Sequence, residues 1–335
     1  MTGPKSSARN TVAPGRTRSR PSARSAKTEW ILRGAGALRI LQAAPFERLD
    51  WLVHGFSTRP GGVSQFDRAA RHERSTKSRN AADAPERVLN LGFTDWDRRE
   101  QVLENRGKFF RAIGAGNMRP VTLRQIHSDL PRRVDASFAQ SDDAAQGDAL
   151  FTREPGFLLA VQTADCIPIL LADTRLRAVA AIHAGWRGTL RRIAAKTLGR
   201  MQMEFGTRPE DVIAALGPGV GRCCYEVGED VAREFHAQFA NAREWFDGPF
   251  DALASGENDP NWLPWLTMMP PGHPPPPVRA KLDLIAANHA ILTDAGVARA
   301  RISAADFCTA CRTDLFFSYR RERTTGRMMA AIGIR

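Results

Sequence analysis

The chain has 335 residues, of which 43% are hydrophobic and 25% are charged, so it can bury one large core or two smaller ones. It has no continuous apolar run of about 18 residues and no apolar signal region, so neither a membrane-spanning nor a secreted protein is supported. The net charge of +12 is uneven: residues 1–27 hold seven basic side chains and no acidic one, which leaves +5 for the remainder. The folded part is therefore only mildly basic, and we expect no specific binding to nucleic acid.

Residues 1–28 are predicted to be a disordered basic tail. They are rich in Ser, Arg and Pro and have little apolar content to bury. An organelle transit peptide and a polyanion-binding arm are the alternatives.

The cysteine usage indicates a reducing compartment. Five cysteines are an odd number, with one adjacent pair and one Cys-x-x-Cys pair. This count suits the cytoplasm better than a disulfide framework.

The predicted elements begin at residues 54–64, where a Pro-Gly-Gly turn follows a strand end and holds Arg59 in a loop. Residues 121–123 and 212–215 are predicted strands. Apolar spacing predicts helices over residues 97–113, 190–205, 229–240 and 284–292, the last of which is stopped by Gly296.

Two segments are predicted to be surface insertions in one catalytic domain that spans residues 29–335. Residues 67–87 are charged and low in apolar content. Residues 258–277 end in four consecutive prolines, which exclude a regular element.

The stretch from Val161 to Gly188 carries most of the predicted chemistry. Two apolar runs, residues 167–172 and 176–182, flank a polar turn, which predicts a β-hairpin. Pairing about a centre between Thr174 and Arg175 places Cys166 opposite His183, with Cβ atoms roughly 5 Å apart. A thiolate and an imidazole at that separation can bind one metal ion. The alternative is a small buried thiol beside a strand-end histidine.

The residues around this pair favour an active site. Asp165 is an acid in an apolar region, where its desolvation has a cost that packing alone does not explain. The turn over residues 184–188 leaves a strand and enters a helical pattern, so its backbone N–H groups and Arg187 are placed to bind an anion.

Three further motifs are ambiguous from their residues alone. His127 follows the predicted strand 121–123 and matters only if it meets the hairpin in space. The Gly-rich run 216–221 allows close approach to a phosphate or a base, but it is no dinucleotide fingerprint. Cys308 and Cys311 have the spacing of half a zinc ribbon or of a redox motif, without a second such pair or a redox βαβ context.

Taken together, the motifs over about residues 50–335 resemble the YfiH family, also called the laccase-domain or multicopper polyphenol oxidase family. Its members include purine nucleoside phosphorylases and peptidoglycan editing factors. Residues 67–87, the Pro-rich loop near residue 270 and the basic tail depart from the family pattern. The motifs are HGFSTRPGGVS (54–64), LNLG (89–92), RQIH (124–127), TADCIP (163–168), HAGWRG (183–188), LGPG (216–219), CYEV (224–227), CTAC (308–311), FSYRR (317–321) and GR (326–327).

The resemblance implies an α+β fold of four layers, in which mixed β-sheets pack together between helices. It also implies a zinc ion held by His127, Cys166 and His183. Three protein ligands leave the fourth tetrahedral position open, as in catalytic zinc sites. Cu²⁺ at the same three ligands is the alternative, because copper outcompetes zinc at nitrogen and sulfur donors.

The implied function is that of a purine nucleoside phosphorylase. Such an enzyme cleaves adenosine, inosine or guanosine with phosphate, and the resemblance adds adenosine deamination and methylthioadenosine cleavage as side activities. Arg59 and Arg187 are expected to bind phosphate, and Asp165 to shuttle a proton beside the catalytic Cys166. The family motifs also give the expected substrate-binding residues, which are Asn90, Gln125, Gly185 and Arg320.

Other hypotheses for the function of the site stay open. One is a hydrolase that edits a cell-wall precursor, with Cys166 as metal ligand or as a nucleophile paired with His183. Another is a non-catalytic binding module. A cytidine-deaminase architecture is disfavoured because its His-x-Glu and Pro-Cys-x-x-Cys signatures are absent.

A copper-dependent polyphenol oxidase is also disfavoured, although the family name implies one. Multicopper clusters need closely spaced imidazoles. No His-x-His pair exists among the seven histidines, which are His54, His72, His127, His183, His236, His273 and His289.

Overall fold

The computed structural model describes residues 29–67, 86–138, 145–255 and 279–335. The predicted basic tail and almost all of the two predicted insertions lie outside these residues. Within the described ranges, none of the helices combines the length and the apolar character that crossing a bilayer requires.

The strands and helices of the described residues are as follows. The strands are β1 (Trp30–Ala35), β2 (Leu38–Ala43), β3 (Leu52–Ser57), β4 (Pro60–Phe66), β5 (Glu86–Val88), β6 (Arg119–Val121), β7 (Pro131–Arg133), β8 (Ala149–Thr152), β9 (Phe157–Thr163), β10 (Ile167–Asp173), β11 (Ala178–Ala184), β12 (Val212–Leu216), β13 (Glu226–Val227), β14 (Phe246–Asp247), β15 (Ala280–Leu282), β16 (Ile302–Ala304) and β17 (Met328–Ile334). The α-helices are α1 (Arg99–Ala112), α2 (Trp186–Leu190), α3 (Ile193–Phe205), α4 (Glu229–Gln238), α5 (Phe250–Ser255), α6 (Leu284–Asp294) and α7 (Tyr319–Glu322).

Two six-stranded mixed sheets form the centre of the molecule. The first has the order β1-β2-β3-β17-β9-β6 and the second the order β16-β12-β10-β11-β8-β7. Most neighbours are antiparallel, whereas β6 pairs with β9, β7 with β8, and β12 with β16 in parallel. A three-stranded sheet, β13-β15-β14, and the pair β4-β5 complete the described strands.

Three apolar cores order these elements into layers. Strand residues point to opposite faces in alternation, so each large sheet presents two buried faces. The middle core lies between the two sheets and includes Val161 and Ile332 from the first and Leu170 and Val179 from the second. The outer cores place α1 on the first sheet and α3, α4 and α6 on the second. Each large apolar side chain buried in this way contributes about 1.5–3 kcal/mol. The predicted four-layer α+β fold is therefore confirmed.

The hairpin β10–β11 exists, but its predicted register was wrong by two residues. His183 pairs with Pro168 rather than with Cys166, and Asp173 pairs with Ala178. The Asp173 carboxylate accepts hydrogen bonds from the backbone N–H groups of Arg175 and Leu176, both over 2.9 Å. This side-chain turn lengthens the loop and shifts the second strand toward the C-terminus.

The helix predicted over residues 190–205 is observed as α3, which begins three residues later, and Leu190 belongs to the separate short helix α2. Arg192 has φ 59° and ψ 43°, a left-handed conformation that separates α2 from α3. Within the predicted turn 184–188, α2 begins at Trp186, directly after Gly185 at its N-cap. The other predicted helices are confirmed as α1, α4 and α6, and Gly296 follows α6 with φ 96°.

Candidate metal centre

Three side chains from distant parts of the chain converge on one point. The ligand atoms of His127, Cys166 and His183 all lie within 4.8 Å of one another. Nε2 of His127 is 3.9 Å from Sγ of Cys166. A tetrahedral zinc ion with Zn–N of about 2.0 Å and Zn–S of about 2.3 Å separates such atoms by roughly 3.5 Å. The donor set and its spacing therefore fit a zinc ion with an open fourth position.

The ends of the second large sheet place these ligands. Cys166 directly precedes β10, and His183 is the penultimate residue of the neighbouring β11. His127 comes from the loop after β6 and is exposed, whereas His183 is only 4% exposed. The centre is thus anchored on the sheet and opens toward solvent on the His127 side.

Asp148 holds two of the three ligands, and sequence reasoning missed it. Its Oδ1 lies 2.8 Å from Nδ1 of His183, so Nε2 is the ring nitrogen left for a metal. The same carboxylate accepts the backbone N–H groups of Ile126, His127 and Ser128 over 2.6–3.2 Å. A carboxylate behind a ligating histidine is the usual outer partner in zinc sites. The signal available in the sequence was an aspartate directly before the buried strand β8, much as Asp165 lies two residues before the start of β10.

These contacts shift three pKa values. Burial alone would raise the pKa of Asp148, but hydrogen bonds from His183 and Ser128 outweigh it and lower the pKa to about 2. Burial also disfavours charge on Cys166, yet the neighbouring His183 and His127 lower the pKa of its thiol to about 6. Burial lowers the pKa of His183, whereas Cys166 and Asp148 raise it and prevail, giving a pKa of about 9. Without a metal and near neutral pH, these shifts favour a thiolate on Cys166 beside an imidazolium on His183.

The backbone is strained at two positions of the site. His127 has φ 56° and Asp165 has φ 97°, values that non-glycine residues rarely adopt. Asp148 holds the loop at His127. The Asp165 carboxylate accepts hydrogen bonds from Oγ1 of Thr309 over 2.7 Å and from the backbone N–H of Arg320 over 2.6 Å.

Gly185 leaves room for the ligands. A Cβ atom at this position would lie 2.8 Å from Sγ of Cys166 and 3.2 Å from Cδ2 of His127. The first distance is shorter than real Cβ contacts, so only glycine allows α2 to begin this close to the centre.

The structure does not bring Arg59 to the centre as a phosphate ligand. Its side chain is fully buried, and its guanidinium pairs with Glu86 over 2.9 Å and with Glu322 over 2.7 Å. It also lies 5.0 Å from the ring centroids of both Phe66 and Phe317. Arg59 can be buried because the carboxylates of Glu86 and Glu322 compensate its charge. These contacts link the start of β4 to the C-terminal segment.

Asn90 and Gln125 also hold backbone rather than an open surface. Asn90 is fully buried and donates to Asp97, while its Oδ1 accepts the backbone N–H of Arg327 over 2.9 Å. The Gln125 amide makes two hydrogen bonds to the backbone of Gln162, over 2.7 and 2.8 Å. Both predicted substrate residues thus have their amide groups occupied.

Two arginines near the centre have no carboxylate partner among the described residues. Arg187 is exposed and lies over the Trp186 ring, 4.4 Å from its centroid. Arg327 is half-buried, and within the described part of the chain its guanidinium donates to the carbonyls of Thr325 and Gly326. Burial lowers the pKa of Arg327, against the opposing charges of Cys166 and Asp165, which raise it. Arg327 was present in a recognised motif, but sequence reasoning assigned it no role.

Tyr225 is a second site residue that sequence reasoning left without a role. Burial raises the pKa of its hydroxyl, and Cys166, Arg320, Asp165 and Arg187 all influence it electrostatically. The Arg320 guanidinium lies 5.4 Å from its ring centroid and donates to the carbonyls of Cys224 and Glu226. Arg320 thus fixes the segment that carries Tyr225.

The chain is similar to known proteins over this whole region. The sequence pattern of the multi-copper polyphenol oxidoreductase laccase family matches residues 53–335. A purine nucleoside phosphorylase of Deinococcus radiodurans is 37% identical over 283 residues, which are 84% of this chain and 88% of the relative. An adenosine deaminase, RL5, from an unknown prokaryotic organism is 33% identical over 227 residues, 66% of this chain and 77% of the relative. The crystal structure of YlmD from Geobacillus stearothermophilus matches with a TM-score of 0.66 and 31% identity, covering 90% of this chain and 98% of YlmD.

Proposed function

The chain belongs to the multi-copper polyphenol oxidoreductase laccase family, and we propose that it is a zinc-dependent purine nucleoside phosphorylase acting on adenosine, inosine and guanosine. One observation carries the proposal: an open His₂Cys centre lies beside Arg187 and Arg327, neither of which forms an ion pair with a carboxylate among the described residues. The relative in Deinococcus radiodurans bears the name of this activity. Five free thiols suit a reducing compartment, and we place the reaction in the cytoplasm.

His127, Cys166 and His183 would hold the zinc ion. When bound, zinc supplies Lewis acidity and positive charge to the reacting groups. Cu²⁺ would find the same three donors. A multicopper cluster is a poorer match, because the metal-ligating groups found among the described residues contain two imidazoles at most.

Arg187 and Arg327 are the proposed phosphate ligands, in place of Arg59. Guanidinium groups bind phosphate through charge-assisted, paired hydrogen bonds. Both arginines influence the electrostatics of groups at the centre, Arg187 through Tyr225 and Arg327 through Cys166 and Asp165. Phosphate held there would attack C1′ of the ribose as the bond from C1′ to the base breaks.

Asp165 is the proposed proton-transfer group, and aromatic rings would bind the purine. The Asp165 carboxylate is held by Thr309 and by the backbone of Arg320, which fixes its direction beside Cys166. It would pass a proton to the leaving base. The rings of Tyr225 and Trp186 are half-buried and offer faces for stacking, and Gly185 allows the substrate to come close to the ligands.

The test is the phosphate dependence of base release. Purified zinc-loaded protein is incubated with inosine, with and without phosphate, and hypoxanthine and ribose 1-phosphate are quantified. We expect both products in equal amounts and only with phosphate. Base release that ignores phosphate would indicate a hydrolase and contradict the proposal.

Variants of the two arginines test the proposed phosphate site. Arg187→Gln and Arg327→Gln should each raise the KM for phosphate about tenfold or more, the loss of a charged hydrogen-bonding pair. The matched control is Arg200→Gln, because Arg200 pairs with Glu204 on the exposed face of α3. Equal effects of all three substitutions would remove Arg187 and Arg327 from the site.

Adenosine deamination is a second candidate activity, favoured by the similarity to adenosine deaminase RL5. Conversion of adenosine to inosine needs no phosphate, so it is measured in phosphate-free buffer. We expect Asp165→Asn to reduce both reactions, since both need a proton transfer. Deamination without any phosphorolysis would make the second activity the primary one.

A further inference from the structure

Four cysteines outside the proposed active centre form a second thiol cluster. The Sγ atoms of Cys223, Cys224, Cys308 and Cys311 all lie within 4.8 Å of one another. Sγ of Cys311 is 3.5 Å from that of Cys223 and 3.4 Å from that of Cys224. A disulfide would need about 2.05 Å, and all four thiols are free. Four sulfurs at about 2.3 Å from a tetrahedral zinc ion lie about 3.8 Å apart, which is close to the observed spacing.

Backbone contacts hold the two segments of this cluster together. Residue 219 forms a parallel bridge with residue 308, and the backbone N–H of Thr309 donates to the Gly219 carbonyl over 2.9 Å. The backbone N–H of Gly221 donates to Sγ of Cys308 over 3.2 Å. A Cβ at position 221 would lie 3.0 Å from Cβ of Cys308 and 3.4 Å from two of the sulfurs. Glycine therefore allows the turn to lie against the thiols.

We propose that these four cysteines bind one zinc ion in a closed, structural site. Four protein sulfurs complete a tetrahedron, unlike the three-ligand centre at Cys166. Soft thiolates select zinc over magnesium or calcium. Binding releases the four Sγ–H protons to solvent, so the product is zinc tetrathiolate with no change in oxidation state. Cys223 and Cys311 are exposed, which gives the ion a path from solvent.

The second ion would join two segments that both reach the active centre. Tyr225 follows Cys224 directly, and Thr309 follows Cys308 and donates to the Asp165 carboxylate. The backbone N–H of Val220 also donates to the Asp165 carbonyl over 2.8 Å. Zinc at the cluster would thus fix the segment of Tyr225 against the segment of Thr309 without contacting substrate.

Metal analysis of three forms of the full-length chain tests the proposal. We expect about two zinc ions per chain in the unmodified protein, about one in Cys166→Ala, and about one in the double variant Cys308→Ser, Cys311→Ser. Cys166→Ala is the matched control, because it removes one thiolate from the other centre only. Loaded with Co²⁺, Cys166→Ala should show intense thiolate-to-cobalt bands. A triple variant that combines Cys166→Ala with Cys308→Ser and Cys311→Ser should lack them. Zinc content that the double substitution leaves unchanged would overturn the proposal.

Alkylation of the unmodified protein tests it even if the double variant fails to fold. In zinc-loaded protein we expect Cys223, Cys224, Cys308 and Cys311 to resist iodoacetamide until a strong chelator is added, as read by peptide mapping. Rapid labelling of all four in the zinc-loaded protein would overturn the proposal. So would a disulfide among them in protein prepared without oxygen, because it would identify the cluster as a redox pair instead.

Discussion

Asp148 and His183 are joined by a 2.8 Å contact between Oδ1 and Nδ1, and this contact determines which nitrogen of His183 faces Cys166. The same carboxylate binds the backbone of residues 126–128 and so holds His127 in its left-handed conformation. One buried acid therefore orients two ligands from separate parts of the chain. Asp148 therefore belongs to the candidate metal centre, although its carboxylate would not itself bind the metal ion.

We expect Asp148→Asn to lower zinc affinity about 10- to 100-fold, the usual effect of losing an outer carboxylate. The amide can no longer accept hydrogen bonds on both atoms, so His183 and the loop at His127 lose their orientation. Affinity is measured by competition with a chromogenic chelator. Asp173→Asn is the control, because Asp173 is also a buried acid that accepts backbone N–H groups, at the far end of the same hairpin. Unchanged zinc affinity in Asp148→Asn would contradict the assigned role.

Gly185→Ala should lower zinc affinity and turnover at least tenfold. The added methyl group would lie 2.8 Å from Sγ of Cys166, so either the ligand or the start of α2 must move. Gly199→Ala is the control in the neighbouring helix, since a Cβ there meets nothing within 4 Å. That variant should keep full activity and gain up to about 1 kcal/mol of stability from helix propensity. Wild-type zinc affinity in Gly185→Ala would show that the centre is less tightly packed than the distances indicate.

The sequence was sufficient for the main elements, and the family resemblance for the layers and for the three candidate metal ligands. Apolar runs predicted the hairpin of β10 and β11, and helical spacing of apolar residues predicted the main helices. The motifs of the resemblance pointed to His127, Cys166 and His183, which the structure brings together. The register failed because it depended on the Asp173 side chain, whose hydrogen bonds lengthen the turn. Arg59 was misjudged for a related reason: a conspicuous arginine in a loop gives no sign of the distant Glu322 that pairs with it. Long-range polar partners of this kind are set by the tertiary fold.

Arg59→Met should destabilise the fold by about 3–5 kcal/mol, because it leaves Glu86 and Glu322 beside a vacated buried site. The KM for phosphate of the protein that remains folded should not change. Both quantities are accessible, the first by urea unfolding and the second by steady-state kinetics. Arg33→Met, which breaks the exposed pair with Glu47, should cost less than about 1 kcal/mol. A selective rise in the KM for phosphate in Arg59→Met would restore Arg59 as a phosphate ligand.

In the metal-free protein, Cys166 and His183 should contribute to the pH dependence of stability with opposite signs. The folded-state pKa of Cys166 is lowered from 9.0 to about 6, so its contribution is complete above about pH 9 and is lost as the pH falls through 6. The pKa of His183 is raised from 6.5 to about 9, so its contribution is complete below about pH 6.5 and is lost as the pH rises through 9. The two contributions offset each other between about pH 6.5 and pH 9, where we expect a nearly level free energy of unfolding. The free energy of unfolding of chelator-treated protein gives this profile. In Cys166→Ser the thiolate is absent and only the His183 contribution, raised by Asp148, remains, so the free energy of unfolding should fall as the pH rises above about 6.5. An unaltered profile in that variant would refute the proposed ion pair.

The last prediction separates a Cys166 that binds metal from one that acts as a nucleophile. A ligand thiolate is used by the zinc ion, so Cys166→Ala, His127→Ala and His183→Ala should each lose zinc and turnover together. Cys166 should also be protected from iodoacetamide until a chelator is added, after which its low pKa makes it react quickly. A nucleophile would give a different pattern: Cys166→Ala would abolish turnover and keep its zinc, and His127→Ala would have little effect. Because the thiol cluster at residues 223–311 is proposed to hold zinc of its own, zinc is counted against a background lacking Cys308 and Cys311. In that background, a full complement of zinc in Cys166→Ala would show that the centre formed with His127 and His183 does not need its sulfur.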